Sequence, residues 1–370
     1  MKKSDLRGGF WPLLRLALLF FCLWQLFAAS ATLSRLYPAV GLRYDAAPVT
    51  AAGAAAVQEY QRSAENKPTG SAAAPICASF WIERTAPVTA GSAARTVAGV
   101  PVIGFTGNAA ACYGAAYLTG TAPGSGDTGG CALSAGLAQA LYGSTDVAGL
   151  PLTLGRFDET GDAATALRTL TVRGVFAGKE PLLLCAAPAG STFTAVELEN
   201  VNPDDPGRAA AAFAAAAGLP AASLTLYGPQ LAALAGGLCL LPLLVVGVRL
   251  LAGLWRQFRP RGRTGRAWLL FALALLAALA LPAALVALPG WLVPARWSDF
   301  TFWSDLAASA VTRTAEWFAL LPHQKDLAAK AALLPLLSAA IAALFLLFLP
   351  LARRGTAAKS APTNLEQPIA

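Results

Sequence analysis

The stretch CALSAGLAQALYGSTDVAGLPLTL, residues 131–154, decides which fold the chain can adopt. Its leucines and alanines have helical spacing, which predicts a helix over about 133–142. Gly143 comes next, and glycine often ends a helix because it tolerates the left-handed conformation. After a short polar turn, apolar residues alternate as far as Leu154, which predicts a strand. A helix, a turn and a strand in this order indicate a packing unit of an α+β domain.

The residues around this unit supply further elements of the same domain. An amphipathic pattern predicts a helix over 48–66, and β-branched and aromatic residues predict strands over 76–85 and 94–107. Strict alternation predicts another strand over 166–177. We therefore expect one compact α+β domain, of one or two lobes, between residues 34 and 228.

The composition places this domain on a membrane protein. Of the 370 residues, 56% are hydrophobic and 13% are charged, whereas soluble domains average about 25% charged residues. Crossing a bilayer takes about 20 apolar residues, and four stretches are long enough. They are residues 10–33, 231–248, 267–293 and 331–352.

The first apolar stretch has two interpretations. A basic start and the small residues Ala28–Ala31 are also typical of a cleaved signal peptide. The apolar run continues past that site, and Trp11 and Arg15 have the character of an interfacial anchor and a snorkelling base. A retained helix is the favoured interpretation.

Basic residues predict the orientation of the four helices, because short cytoplasmic loops carry an excess of Lys and Arg. Such residues precede the first span and follow the fourth, and a cluster of arginines without acidic residues separates the second span from the third. That cluster, a candidate contact for a cytoplasmic partner or for lipid, is Arg256, Arg259, Arg261, Arg263 and Arg266. Both termini are therefore predicted in the cytoplasm of a multi-pass protein of the plasma or inner membrane. The net charge of +8 reports this topology, and we expect no nucleic-acid partner.

These patterns divide the chain into eight parts. They are a cytoplasmic N-terminus with helix 1 (1–33), the extracytoplasmic α+β domain (34–228), helix 2 (229–255), a basic loop (256–266), helix 3 (267–293), an extracytoplasmic amphipathic segment (294–330), helix 4 (331–352) and a cytoplasmic tail (353–370).

Six cysteines divide in the same way. Cys22 and Cys239 fall within spans, where we expect them to pack as apolar residues. Four others fall in the α+β domain, where an oxidising compartment would favour two disulfides in any of three connectivities, or buried free thiols. They are Cys77, Cys112, Cys131 and Cys185.

No pattern in the sequence predicts catalysis, a cofactor site or a metal site. The glycine-rich run at 124–130 lacks the Gly-Lys-Ser/Thr ending that a phosphate-binding loop needs. His323, the lone histidine, has no accompanying nucleophile motif. The acidic turns at 157–162 and 202–207 lack the spacing of a calcium loop. We therefore expect neither an enzyme nor a cofactor in this chain.

The segment between the third and fourth spans is rich in aromatic residues. Its pattern predicts an amphipathic helix at the outer membrane–water interface, with a lateral lipid gate or a partner groove as the alternative. The interfacial aromatic candidates are Trp297, Phe300, Trp303 and Trp317.

Several of these features together resemble the periplasmic core domain of MacB/FtsX-type ABC transporter permeases. The likeness covers about 75 residues closely, and one span, a large external domain and three further spans also match that family in order. The residues that carry it are Gly104–Thr106, Leu118–Gly120, Asp127, Leu133-Ser134, Leu137-Ala138, Leu141–Gly143, Asp146, Gly149, Leu152–Leu154 and Val172–Val175.

The resemblance implies a dimer of permease subunits, identical or different, driven by a separate cytoplasmic ABC ATPase. Movement of the helices would then reach the external domains. Separately from the resemblance, one of the open cysteine pairings, between Cys131 and Cys112, would staple the stretch at 131–154 at its head. The basic loop departs from the family, whose permeases usually carry an acidic residue and a coupling helix there. The alternative is a non-transporting membrane protein that binds, senses or scaffolds at the cell envelope.

Overall fold

The computed structural model describes residues 4–45, 47–65, 74–91, 95–157, 167–257, 271, 275, 290–294, 296, 298–320 and 322–348. The helices are α1 (Ser4–Leu36), α2 (Ala51–Glu65), α3 (Ala109–Cys112), α4 (Ala135–Tyr142), α5 (Pro206–Ala216), α6 (Gly228–Gln257), α7 (Phe302–Ala319) and α8 (Gln324–Phe348), with a 3-10 turn at Gly290–Leu292. The strands are β1 (Val40–Arg43), β2 (Cys77–Ala90), β3 (Thr96–Thr106), β4 (Tyr117–Gly120), β5 (Gly130–Ser134), β6 (Pro151–Leu154), β7 (Arg168–Phe176), β8 (Leu183–Ala186), β9 (Ala195–Glu199) and β10 (Leu224–Tyr227).

The ten strands in the described part of the chain form one mixed sheet, and residues 40–227 are called the sheet domain. The strand order is β10-β1-β9-β2-β3-β8-β5-β7-β4, and β6 pairs with both β2 and β7. The pairs β3–β8 and β5–β7 are parallel, while the other pairs are antiparallel. Strand β10 closes one edge of the sheet and continues directly into α6.

Strand β2 is long enough to serve two lobes of this sheet. Its first half pairs with β9 and packs against α2 and α5, in a core that contains Phe80 and Phe213. Its second half pairs with β6 and lies in the other core, called the far-lobe core, beside Val102, Leu137 and Leu170. The expectation of one domain with two lobes therefore describes this arrangement well.

Residues 131–154 do not begin as a helix. Gly130–Ser134 is a central strand that pairs with β8 on one side and β7 on the other, and all five of its residues are buried. A strand covered on both faces is a continuous apolar run, which periodicity alone does not distinguish from a helix. The helix starts at Ala135, where the Ser134 side chain accepts a hydrogen bond from the Leu137 amide.

The end of this unit agrees with the sequence prediction. Gly143 ends α4 with φ of 74°, the left-handed conformation that favours glycine. The predicted strand is β6, and the structure pairs it antiparallel with β7, with Leu152 opposite Leu170.

Three helices in the described part of the chain are long and apolar enough to cross a membrane. They cover Leu13–Leu36, Gly228–Leu250 and Gln324–Phe348. The predicted third span, 267–293, lies almost entirely outside the described residues.

Helix α8 begins at Gln324, seven residues before the start predicted for the fourth span at residue 331. The sequence placed the start later because Lys325, Asp326 and Lys330 precede the uncharged run. The structure can include Lys325 and Asp326 in the helix because both are buried against charged partners.

Helices α1 and α8 pack side by side in opposite directions. Leu26, Leu33, Leu336 and Ala343 share one apolar cluster, which also holds Cys22 and Cys239 as the sequence predicted. Arg15 near the start of α1 donates hydrogen bonds to the Leu346 and Leu347 carbonyls in the last turn of α8. A guanidinium at these carbonyls satisfies acceptors that have no partner within the helix.

Candidate functional site

The ends of the apolar helices meet the sheet domain at one place. Tyr37 follows α1, Gly228 opens α6 directly after β10, and Gln324 opens α8. The contact is close: a Cβ on Gly114, just after α3, would lie 1.6 Å from the Arg35 carbonyl oxygen. Only glycine allows the backbones of α1 and the sheet domain to approach so closely.

A group of buried polar side chains lies at this contact, and we call it the junction cluster. Strands β1, β2 and β9 supply three of its members, the residue after α1 supplies one, and the first turn of α8 supplies two. The members are Tyr37, Arg43, Trp81, Glu197, Lys325 and Asp326.

Glu197 on β9 is the centre of the cluster. Its Oε1 atom accepts from Lys325 Nζ at 2.8 Å, from Arg43 Nη1 at 3.1 Å and from Trp81 Nε1 at 3.1 Å. Lys325 Nζ also donates to the Ala111 carbonyl oxygen in α3 at 2.8 Å. One carboxylate therefore joins two strands of the sheet to the first turn of an apolar helix.

Asp326 forms the second half of the cluster. Its Oδ1 atom accepts from the Tyr37 hydroxyl and, at 3.4 Å, from Arg43 Nη2. Arg43 therefore bridges Glu197 in the sheet and Asp326 in α8, although Arg43 and Asp326 are 283 residues apart in the chain.

The cluster balances its charge without access to water. Arg43 and Lys325 face Glu197 and Asp326, and each of the four side chains is at most 4% exposed. Aromatic rings complete the enclosure, since the Arg43 guanidinium lies 5.0 Å from the Trp81 ring and Lys325 Nζ lies 5.2 Å from the Tyr37 ring. Such a network adds little net stability over an apolar core, but losing one member leaves a buried charge unpaired.

Burial and the carboxylates of the junction cluster shift the pKa values of Arg43 and Tyr37, which both lie outside the apolar helices. Burial by itself would lower the pKa of Arg43, but the carboxylates of Asp326 and Glu197 raise it above its usual range. Burial, reinforced by the Asp326 carboxylate, raises the pKa of Tyr37 well above its usual value. Both groups therefore keep their protons at any physiological pH, and the hydrogen bonds that depend on them persist.

His323 lies at the edge of the junction cluster. Its ring packs edge-on against Trp81 with a centroid distance of 5.0 Å, and Nδ1 lies 3.8 Å from Glu83 Oε2. Burial first, and the Arg43 charge second, lower the pKa of His323. The same Glu83 carboxylate accepts from the Gln324 amide at 2.7 Å, which caps the start of α8.

The geometry of the cluster suits mechanical connection. Every charged group already has a partner of opposite charge, and Glu197, the acceptor of three hydrogen bonds, is fully buried. The described residues hold no group of three or more His, Cys, Asp or Glu side chains placed for a metal ion. This arrangement fixes the start of α8 and the end of α1 to three strands of the sheet.

The predicted cysteine sites are only partly brought together. Cys131 on β5 lies directly opposite Cys185 on β8, and both belong to the far-lobe core. Cys112 lies in a different core, together with Ala132, the neighbour of Cys131 that points to the other face of the sheet. This placement contradicts a Cys112–Cys131 bond. Cys112, Cys131 and Cys185 are free thiols whose pKa values burial raises, that of Cys185 to about 11.

The fourth cysteine of this set, Cys77, opens β2 and is half-buried. The expectation that an oxidising compartment would favour disulfides among these four cysteines stays a prediction.

The other predicted sites fall partly outside the described residues. Arg256 lies in the last turn of α6, and its side chain is not among the described ones. Arg259, Arg261, Arg263, Arg266 and Trp297 lie outside the described residues. Phe300 and Trp303 are exposed, and their place at a membrane interface stays a prediction.

Trp317 does not match its predicted place at the interface. It is buried in the helix cluster, packed edge-on against Tyr37 at a centroid distance of 6.2 Å. Lys330 holds it there by donating to the Trp317 carbonyl oxygen at 2.9 Å and lying over its ring at 5.3 Å.

Sequence reasoning missed the junction cluster altogether. The available signals were small: Lys325 and Asp326 directly before an apolar run, Arg43 in a buried apolar strand, and Glu197 in a β-branched stretch. Charged residues in buried contexts indicate paired ions, but nothing in the sequence states which charge meets which.

Comparisons with known proteins concern the fold. No protein-family model and no curated protein matches the chain. Among solved structures, it is similar to the periplasmic region of MacB from Actinobacillus actinomycetemcomitans, at 9% identity and a TM-score of 0.37, over 52% of this chain and 89% of that one. It is also similar to the extracellular domain of the noncanonic ABC-type transporter YknZ from Gram-positive bacteria, at 11% identity and a TM-score of 0.35, over 50% of this chain and 96% of that one.

Three apolar helices of spanning length in the described part of the chain fit a membrane protein. At such identities and scores the family predicted from the sequence stays a prediction. The function has to rest on the junction cluster and on the sequence pattern.

Proposed function

We propose that the chain is a permease-like transmembrane subunit of a MacB/FtsX-type ABC transporter. In this proposal a separate cytoplasmic ATPase moves the spans, and the spans move an extracytoplasmic sheet domain. A second permease subunit, identical or different, completes the assembly. The chain itself carries out no chemical step and needs no cofactor.

The junction cluster is the observation that carries this proposal. Arg43 and Glu197 belong to the sheet, whereas Lys325 and Asp326 belong to the first turn of α8. Because these hydrogen bonds have fixed directions and exclude water, a tilt of α8 has to move the sheet or break buried ion pairs. An anchor that merely tethered the domain would function with a flexible link in this place.

The contact between α1 and α8 at the end away from the sheet also supports the proposal. Arg15 joins α1 to the last turn of α8 through the Leu346 and Leu347 carbonyls. Tyr37 and Asp326 join the two helices at the sheet end. Helices fixed to each other at both ends move together, so force applied near Arg15 would arrive at the junction cluster as displacement of a rigid pair.

The sequence pattern supports the family assignment independently of the cluster. The residues of the resemblance around 131–154 form the strand, helix and strand that pack the far-lobe core. The alternative, a binding, sensing or scaffold protein of the envelope, needs the same domain but no ATPase. The two functions are therefore distinguished by whether an ATPase binds.

The first experiment purifies the full chain, expressed at its native level, by affinity in a mild detergent. We expect an ABC ATPase to co-purify. Recovery of the chain without any such ATPase, under conditions in which a known permease–ATPase pair stays together, would overturn the transporter assignment in favour of the scaffold.

The second experiment tests coupling through the junction. A spin label at Ala148→Cys, on an exposed turn of the sheet domain, reports the distance between two subunits before and after trapping with ATP and vanadate. We expect Asp326→Asn to abolish the change in distance while ATPase co-purification stays the same. The matched control is Asp305→Asn in the first turn of α7, which should behave as the parent does. An unaltered response in Asp326→Asn would refute transmission through the cluster.

A further inference from the structure

A cleft opens beside the junction, between the start of α6 and the helix α7. Its volume is about 760 Å³, within the range of about 300–1,000 Å³ that small-molecule sites occupy. Strand β10, the 3-10 turn at Gly290–Leu292 and α8 complete its walls. We call it the interfacial cleft.

The polarity of the interfacial cleft changes from one end to the other. Its inner end is lined by Leu231 and Leu234 of α6 and Leu333 of α8. Leu333 lies nine residues after Gln324, which is about 14 Å along the helix at 1.5 Å per residue. The inner end therefore extends into the part of the molecule that matches the hydrocarbon of a bilayer.

The outer end of the cleft carries charge of both signs. Asp204 and Asp205 line it from the start of α5, and Arg313 lines it from α7 with its guanidinium 4.7 Å from the Tyr227 ring. A ligand that fits both ends is apolar along its length and has a polar group of mixed charge at one end.

Trp317 provides a donor for such a ligand. It lines the cleft and is 6% exposed, and its indole Nε1 is buried without a hydrogen-bond acceptor in the described part of the chain. An indole N–H normally finds a partner when it is buried. Since Lys330 and Tyr37 hold the ring in place, an acceptor has to come to it.

Helix α7 covers the cleft but is weakly attached. Trp317 is its one buried residue, while Trp303 and Val311 are exposed. The aromatic residues Phe300 and Phe318 are also exposed, which suits a helix that lies at the membrane surface. A molecule already in the bilayer could thus enter sideways, without crossing water.

We propose that the interfacial cleft binds one phospholipid of the surrounding bilayer. An acyl chain lies between α6 and α7, and an ester carbonyl accepts the hydrogen bond of the Trp317 indole. The headgroup is zwitterionic, with its phosphate near Arg313 and its ammonium near Asp204 and Asp205. A peptide fits less well, because its backbone amides would meet a mostly apolar wall without partners.

The test measures lipid retained by the full chain. Protein in dodecylmaltoside micelles doped with dioleoyl-phosphatidylethanolamine is analysed by native mass spectrometry, and the parent chain should retain one lipid. Ala310→Trp places a large side chain in the cleft and should lower occupancy at least tenfold. Ala308→Trp, on the same exposed helix but outside the cleft, is the matched control and should retain the lipid.

A second variant isolates the hydrogen bond. Trp317→Phe keeps an aromatic ring against Tyr37 but removes the N–H donor, and occupancy should fall about 2- to 10-fold, the value of one hydrogen bond. Equal retention by the parent chain, Ala310→Trp and Ala308→Trp would overturn the site. Preferential retention of phosphatidylglycerol over phosphatidylethanolamine would overturn the headgroup assignment, and retention of a co-purified peptide in place of lipid would overturn the ligand class.

Discussion

The far-lobe core and the junction cluster are equally buried, yet opposite kinds of interaction hold them together. The far-lobe core contains Leu133, Leu137, Leu152, Leu170 and Val175, each at most 1% exposed. The junction cluster places Arg43, Lys325, Glu197 and Asp326 at a similar depth. Apolar packing has little direction, whereas hydrogen-bonded charges allow one arrangement only.

The difference corresponds to what each region connects. The far-lobe core joins elements of one domain, where the free energy of burial is sufficient. The junction cluster joins the sheet to α1 and α8, and in the proposed function the relative orientation of sheet and helices matters more than net stability. We therefore expect substitutions to act locally in the far lobe and across the whole molecule at the junction.

The largest effect is expected from Glu197→Gln. It leaves Arg43 and Lys325 with less negative charge in a buried site, which should lower the free energy of unfolding by about 3–5 kcal/mol. The measurement is the unfolding midpoint of the full chain in micelles, with hydrogen exchange to show that both β9 and α8 lose protection. Glu199→Gln, two residues along the same strand and less buried, is the control. A loss of protection confined to β9 would show that the cluster does not couple the two regions.

A somewhat smaller effect is expected from Leu137→Ala in the far-lobe core. Leu137 is fully buried, and truncating such a leucine costs about 2–5 kcal/mol through lost contacts and a residual cavity. Hydrogen exchange should show faster exchange in α4, β5 and β6 but unchanged exchange in α1 and α8. Leu150→Ala, at a position that is 38% exposed, should change little. Faster exchange in α1 and α8 as well would show that the far-lobe core also acts across the molecule, which would contradict the difference between the far-lobe core and the junction cluster.

Gly143→Ala should have a moderate effect, again limited to the far lobe. At φ of 74° an alanine side chain costs about 1–2 kcal/mol because its Cβ crowds the following carbonyl oxygen. The unfolding midpoint of the chain measures this, and Gly124→Ala, which meets no atom within 4 Å and has no positive φ, is the matched control. Similar midpoints for the two variants would mean that the left-handed end of α4 carries no strain for alanine.

The smallest effect is a pH dependence from His323 at the junction. Burial lowers its pKa in the folded protein, while in the unfolded chain it titrates near its usual value of about 6.5. As pH falls below that value the unfolded chain binds a proton first, so stability decreases, by at most about 1.4 kcal/mol per pH unit. His323→Phe keeps a ring against Trp81 and should flatten the dependence of stability on pH below about pH 6.5. His323 is the one histidine of the chain. An unchanged slope of stability against pH in His323→Phe would therefore show that other titratable groups cause the pH dependence.

The sequence predicted the parts of the molecule that depend on local pattern. The α+β domain, the strand β6 and the glycine end of α4 all followed from alternation, helical spacing and the left-handed tolerance of Gly143. It assigned Leu133 and Ser134 to the helix and missed the strand Gly130–Ser134, because a strand buried on both faces has the same apolar run as a buried helix. The helix that contains the predicted fourth span begins earlier, at Gln324, because Lys325 and Asp326 pair with charges of the sheet domain, whereas the bounds of the span itself stay a prediction.

Only the tertiary structure decided which charges meet. Arg43 and Asp326 are 283 residues apart, and no local periodicity relates residues at that distance. The same holds for Trp317, whose aromatic character placed it at an interface although the packing of α1 and α8 encloses it. A hydrophobic pattern can be recognised in the sequence because it repeats with the period of a helix or a strand. A buried ion pair depends on where distant elements come together, and that position exists only once the chain has folded.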